Sequence, residues 1–378
     1  MTLVPMTKNP PPADEQTVKH RRICDYLESH GLDAVLLSRR CNFSWYTCGA
    51  HNYVGMAVDV GNSSLLVTRE KAVLLANNIE TPRLCHEELA GKGIESREYS
   101  YYDTAARAKT FADATAGMKI ACDAILPWLP AQPLAADFDR LRWTLTSEEI
   151  ARYRKLCTDV AGAMEYVAKD IDPGQTEHEI SGMLSGALRC VGSVPWVLLV
   201  GADDRLMRFR HPLPTDLVAE KAVMLAACSE RGGLITACSR VVSFGKADAE
   251  LRRKHQAVAT VDTAMIRATR PGNTLASIYA EAQSAYEATG YADQWRLHHQ
   301  GGSTGYLPRE VLASPSETIE VLAAQAFAWN PSIAGTKSED TILSGETGGE
   351  VLATPGDWPR VRAEWKDFSL DRPAILEK

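Results

Sequence analysis

Two stretches of the chain share one plan. PGQTEHEISGMLSGALRCVG at 173–192 and PGNTLASIYAEAQSAYEATG at 271–290 both run Pro-Gly, a polar residue, Thr, a helical stretch, and a Gly nineteen residues after the Pro. Thr176 and Thr274 stand where a hydroxyl caps the first free amides of a helix. Gly192 and Gly290 suit the left-handed residue that ends one. Strand-like sequence follows each unit, PWVLLVG after the first and WRLHHQGG after the second. A duplicated helix-strand module is the economical reading of a repeat at this spacing.

The rest of the chain frames that module. At 378 residues and 45% hydrophobic it can bury a sizeable core in two domains, or in one large domain and a smaller one. Residues 1–15, rich in proline and acids, read as a mobile N-terminal arm. Residues 16–145 read as a small α/β domain, with an amphipathic helix through Ile23 and Leu27, a strand DAVLLS, a hairpin over SSLLVTREKAVLLANNIE and a strand MKIACDAI. TSEEIARYRKLCTDVAGAMEYVAKDI then opens a long helix with a Thr-x-x-Glu start, and the second domain runs over 146–378.

A formal net charge of -7 disfavours nucleic acid, because phosphate binding needs clustered Lys and Arg. The basic run KHRR at 19–22 reads as a solvated helix face. No stretch approaches the roughly 20 apolar residues of a membrane span, and no apolar core of signal-peptide length is present. Nine cysteines lack a CxxC pair, which fits free thiols in a reducing compartment. A cytoplasmic location is expected.

With the doubled units, RHPLP at 210–214, CSRVVSFG at 238–245 and SEDTIL at 338–343 in this order, the chain resembles the pita-bread superfamily of methionine aminopeptidase, prolidase, aminopeptidase P and creatinase. NFSWYTCGA stands in the place characteristic of the creatinase-type N-terminal domain. The resemblance implies an α+β fold, a C-terminal pita-bread domain with a smaller N-terminal α/β domain. It also implies a homodimer in which the N-terminal domain of one chain covers the pocket of the other, with His51 and Asn52 reaching across.

Peptidases of this superfamily bind two metals through Asp, Asp, His, Glu and Glu. Carried onto this chain, those positions fall on Ala226, Ala237, His298, Asn330 and Glu339, the two alanines eleven residues apart. One imidazole and one carboxylate are too few for a catalytic metal, so no metal and no cofactor are expected. Cys228 and Cys238 stand nearby as alternative soft ligands.

Creatinase resembles the chain at His211, Ala237, Arg240, Arg309 and Glu310, and it works by proton transfer through a histidine. Its guanidinium-binding acids are replaced by Ser239 and Asn330, which argues against creatine. The arginines favour a small anionic substrate, since guanidinium pairs bidentately with carboxylate. The expected function is therefore a metal-independent, creatinase-like hydrolase of a C–N bond in a small carboxylate-bearing substrate. His211 serves as general acid and base, with His298 and Glu339 beside it, the latter holding an imidazole in its tautomer. Arg309, Glu310, Arg240, Asn330, Ser239, Tyr306, Trp329, His51 and Asn52 are the expected binding residues. His299, the neighbour of His298 on an expected strand, should face away, and Asp340 should anchor backbone amides. The competing readings are a metal-free lyase, a non-catalytic peptide- or protein-binding domain, and a Xaa-Pro peptidase with a relocated metal site.

Overall fold

The computed structural model describes residues 13–354 and 356–378; the expected arm falls largely outside them, and its last residues are already helical, in a helix over Ala13–His30. The chain divides into two compact units, 1–142 and 143–378.

The N-terminal unit is built on a six-stranded sheet. Its strands are β1 (Ala34–Arg39), β2 (Val60–Thr68), β3 (Ala72–Asn77), β4 (Glu95–Tyr99), β5 (Ile120–Cys122) and β6 (Gln132–Pro133), in the order β4-β3-β2-β1-β5-β6. β2 and β3 form the expected antiparallel hairpin. Leu36, Leu66, Leu75 and Phe111 fill one side of this sheet. The KHRR run is only in part the solvated face expected of it: Arg21 is exposed and His20 and Arg22 are half-buried, but Lys19 is fully buried, with its ammonium on Glu15 and the Trp45 carbonyl.

The second unit opens with the helix Ser147–Asp170, whose Thr146 and Glu149 form a reciprocal cap. The repeat is real in structure. Thr176 and Thr274 cap the helices Glu177–Cys190 and Leu275–Ala288, accepting bonds from the amides of Glu179 and Ser277. Gly192 and Gly290 take φ of 73° and 84°. Each repeat thus pairs a long helix, Ser147–Asp170 or Ala249–Ala268, with a capped shorter one.

These helices lie on a nine-stranded sheet. It contains β7 (Val194–Ala202), β8 (Ala222–Arg231), β9 (Leu234–Ser243), β10 (Gly301–Thr304), β11 (Val311–Leu312) and β12 (Ala326–Trp329). A small hairpin of β13 (Ser332–Ile333) and β14 (Thr336–Lys337) leads into β15 (Asp340–Leu343), and the main order is β11-β10-β12-β15-β9-β8-β7. Val258, Ile266, Tyr286, Phe327 and Ile342 are buried between sheet and helices, where truncation of a large side chain costs about 2–5 kcal/mol. All nine cysteines are free. Among the described residues no helix is long and apolar enough to cross a membrane.

One expected strand is absent. Gln294–Leu297 is a short 3-10 helix, and residues 298–300 follow it as irregular chain before β10. Buried Gln300 fixes this bend, donating to the carbonyls of His298 and Trp295 while its own oxygen accepts from the Tyr286 hydroxyl.

Candidate active site

The antiparallel register of β8 and β9 sets Ala226 opposite Ser239 and Cys228 opposite Ala237. Residues two apart on a strand share a face, so these four form one patch. Ala226, Ala237 and Ser239 in it are each 3% exposed. It is the patch where the superfamily's two aspartates would stand, and it carries no carboxylate. Cys228 does not compensate. Burial, then the charge of Glu339, pushes its thiol up to about 11, far from the thiolate a metal requires. Cys238 is pushed up by burial as well.

Glu339 reaches this patch from the start of β15 and is 4% exposed. Its Oε2 accepts from the Ser239 hydroxyl at 2.5 Å and lies 3.1 Å from Lys337 Nζ, while Oε1 lies 3.8 Å from Arg309 Nη2. Burial opposes its ionisation, yet Lys337 and Arg309 hold the carboxyl below the usual range. It does not hold an imidazole, contrary to expectation; two cations and a hydroxyl take its oxygens. Lys337 was not foreseen. The pattern Lys-Ser-Glu at 337–339, two residues apart and so on one side of an extended chain, is the signal that carries it.

The residues flanking Glu339 are tied down. The Ser338 hydroxyl donates to Asp262 at 2.5 Å, and Arg372 Nε donates to the same oxygen at 2.8 Å. Asp340 does not anchor backbone amides as expected. It sits between two buried guanidiniums, Arg240 Nη1 at 3.0 Å and Arg372 Nη2 at 3.0 Å. Arg240 also donates twice to Glu165, so it is a structural ion-pair residue and not a substrate ligand.

The imidazoles gather beside this acid. His298 Nε2 lies 3.0 Å from His211 Nε2, and the other nitrogen of His298 is 3.1 Å from the Ser332 hydroxyl. His299 does not face away, because residues 298–300 are not a strand. Its ring centroid is 4.6 Å from that of His298 and 5.5 Å from that of His211. One ligand atom from each of the three falls within 4.8 Å of the others. All three are held below the usual histidine range, by burial first. Lys337 is the next cause for His211 and His298, and Arg309 for His299, which falls to about 4. They are neutral at pH 7.

Other expected contacts go elsewhere. Tyr306 is buried with its hydroxyl on Glu149 at 2.6 Å, and Trp329 is buried with its indole on Thr269; both are core. Glu310 accepts from the Tyr306 amide. Asn52 is 1% exposed and donates to the carbonyls of Ser38 and Ser63, so its amide is committed within the N-terminal unit. The His51 amide donates to Glu88. Asn330 and Arg309 are different: Asn330 Oδ1 and Arg309 Nε are buried without a partner.

A duplicated helix-pair module on one sheet, with His298 and Glu339 converging on it, defines a pita-bread domain. The chain belongs to metallopeptidase family M24, whose model matches residues 151–346. An uncharacterized peptidase of Staphylococcus aureus is 24% identical over 222 residues, 56% of this chain and 63% of that protein, so the match spans less than two thirds of that relative. The Xaa-Pro dipeptidase of Pyrococcus horikoshii is 21% identical over 372 residues, 90% of this chain and 97% of that protein. Among solved structures, the prolidase of Pyrococcus horikoshii OT3 superposes with a TM-score of 0.75 at 18% identity, over 89% of this chain and 98% of that one. The N-terminal domain of the FACT complex subunit SPT16 from chickpea does so with a TM-score of 0.67 at 12% identity, over 92% and 97%. These matches overturn the expected metal-independent, creatinase-like hydrolase of a non-peptide C–N bond, because the family is one of metallopeptidases and the relatives along the chain are peptidases by name.

The residues present do not fit the superfamily's two metals. Of the five donor places, Ala226 and Ala237 have no lone pair to give, Asn330 is neutral, and Glu339 is already paired with an ammonium.

Proposed function

We propose that this chain is a hydrolase of short peptides of the Xaa-Pro type, with its metal place moved from the aspartate patch to His211, His298 and His299. The observation that supports this is the convergence of three neutral imidazoles to within 4.8 Å, since a catalytic zinc takes three protein ligands and ring nitrogens in their unprotonated form. A divalent metal there would polarise the scissile carbonyl and make a bound water more acidic. Ser332 orients the His298 ring from behind, as outer partners of metal-binding histidines do. Lys337 and Arg309 would oppose a nearby dication, so a metal held by the three imidazoles would be bound weakly.

The test strips the protein with a chelator and follows proline release from Ala-Pro after adding Mn²⁺, Co²⁺ or Zn²⁺. Metal-dependent release that vanishes in His299→Ala supports the reading. No release with any metal, or equal release from stripped protein, overturns it.

The neutral patch of Ala226 and Ala237 favours a second reading, a pocket that binds peptides without cleaving them, and the SPT16 domain shares this fold. Peptide binding by calorimetry with no turnover under any metal condition would select it.

A further inference from the structure

We infer that the Lys337 ammonium stands in the place of the superfamily's metal pair as a built-in cation, and that with Arg309 it binds a carboxylate of the ligand beside Glu339. Lys337 is 4% exposed and, among the described residues, its ammonium meets one acceptor, Glu339 Oε2 at 3.1 Å. An ammonium has three N–H donors, so two are unused inside the protein. They are free to meet an acceptor supplied by a ligand.

The neighbours add to the deficit. Arg309 Nε is a buried donor without a partner, and Asn330 Oδ1 is a buried acceptor without one. Arg309 and Lys337 approach the two oxygens of one carboxylate, Glu339. Two cations against one anion leave an excess of positive charge, and Ala226, Ala237 and Ser239 across the patch supply none to offset it. The same excess bears on His211, His298 and His299. A single negative charge with two oxygen acceptors matches this set in charge and in donor number. A second metal does not, since it would face an ammonium where the relatives need an acid.

The inference rests on the peptidase reading only for the choice of probes, and the test separates the two. Thermal unfolding is followed with L-proline or sodium acetate against L-prolinamide hydrochloride at matched ionic strength. The comparison protein is Lys337→Met/Glu339→Gln, which removes the pair together and leaves no stranded acid. Proline and acetate are expected to raise the unfolding midpoint of the unaltered chain by about 2 °C or more, through binding to the folded state. Prolinamide should not, and the double variant should respond to neither acid. Arg309→Met should reduce the shift. Equal responses to proline and prolinamide, no response in the unaltered chain, or a full response in the double variant would each overturn the inference. Acid binding without peptide cleavage would leave it standing while removing the hydrolase.

Discussion

The Nε2 atoms of His211 and His298 lie 3.0 Å apart, a separation at which one of them must carry the proton between them. A metal held there as proposed would displace that proton, so the two rings would report on loading. Replacing His211 by Ala should lower proline release from Ala-Pro by about 100-fold or more, the upper range for loss of a metal site's support, while the fold is kept because His211 lies on the exposed side. Turnover measured at saturating metal checks this; an unchanged rate would remove His211 from the site.

Ser332→Ala should act more gently. It deletes the partner that aligns the His298 ring and is expected to weaken metal binding by about 10-fold or more. Co²⁺ titration of the stripped protein measures it, and an affinity equal to that of the unaltered chain would show the hydroxyl to be incidental.

Arg240→Met tests the reassignment of that arginine from substrate to structure. It leaves Glu165 without its guanidinium partner and removes one of the two that face Asp340, which for a broken buried pair costs about 3–5 kcal/mol. Urea unfolding should show the loss. Full stability with a loss of ligand affinity would return Arg240 to the pocket.

The stability of the N-terminal unit should depend on pH through Asp123. Burial pushes its carboxyl up to about 6, against the bonds it accepts from the Ser38 amide, Asn42 and the Arg39 amide. Its folded value lies above the unfolded one of about 3.9. The stabilising contribution of its proton is therefore complete below pH 3.9 and is lost as pH rises through 6, up to about 3 kcal/mol at 1.36 kcal/mol per unit. Asp123→Asn should remove that slope, so the stability of the unaltered chain relative to the variant should rise on going from pH 7 to pH 4. Parallel unfolding curves for the two proteins across that interval would refute the assignment.

Gly302 admits no side chain. A Cβ there would overlap the Val311 carbonyl oxygen, and one on Gly301, at φ of 94°, would overlap that of Ala328. Gly302→Ala should destabilise by about 1–3 kcal/mol and disturb β10, which begins one residue beyond the His298–His299 pair, after Gln300. An unfolding midpoint equal to that of the unaltered chain would mean the strands can part there without loss.

Much of this was legible before the fold was known, because it rests on local chemistry. The caps at Thr146, Thr176 and Thr274 and the turns at Gly192 and Gly290 need only neighbouring residues. The loss of donors at Ala226 and Ala237 also reads directly from residue type. What was misread depends on distant contacts. The path of 294–300 is set by Gln300 and Tyr286, fourteen residues apart, and strand periodicity in WRLHHQGG could not disclose it; His299 was misplaced as a result. Tyr306 and Trp329 belong to the core through Glu149 and Thr269, each far along the chain. Function is the least legible part, because the alanines at 226 and 237 argue against a metallopeptidase while the match over 151–346 places the chain in that family.

The ties on Ser338 and Asp340 leave Glu339 between two fixed posts. Its backbone cannot shift without parting Asp262 from Ser338 and Asp340 from two guanidiniums, and its carboxylate is held in turn by Ser239, Lys337 and Arg309. A ligand therefore meets an acid and an ammonium already set at their spacing and gives up little entropy in arranging them. A carboxylate binding as proposed would be selected by fit to that fixed spacing rather than by charge alone.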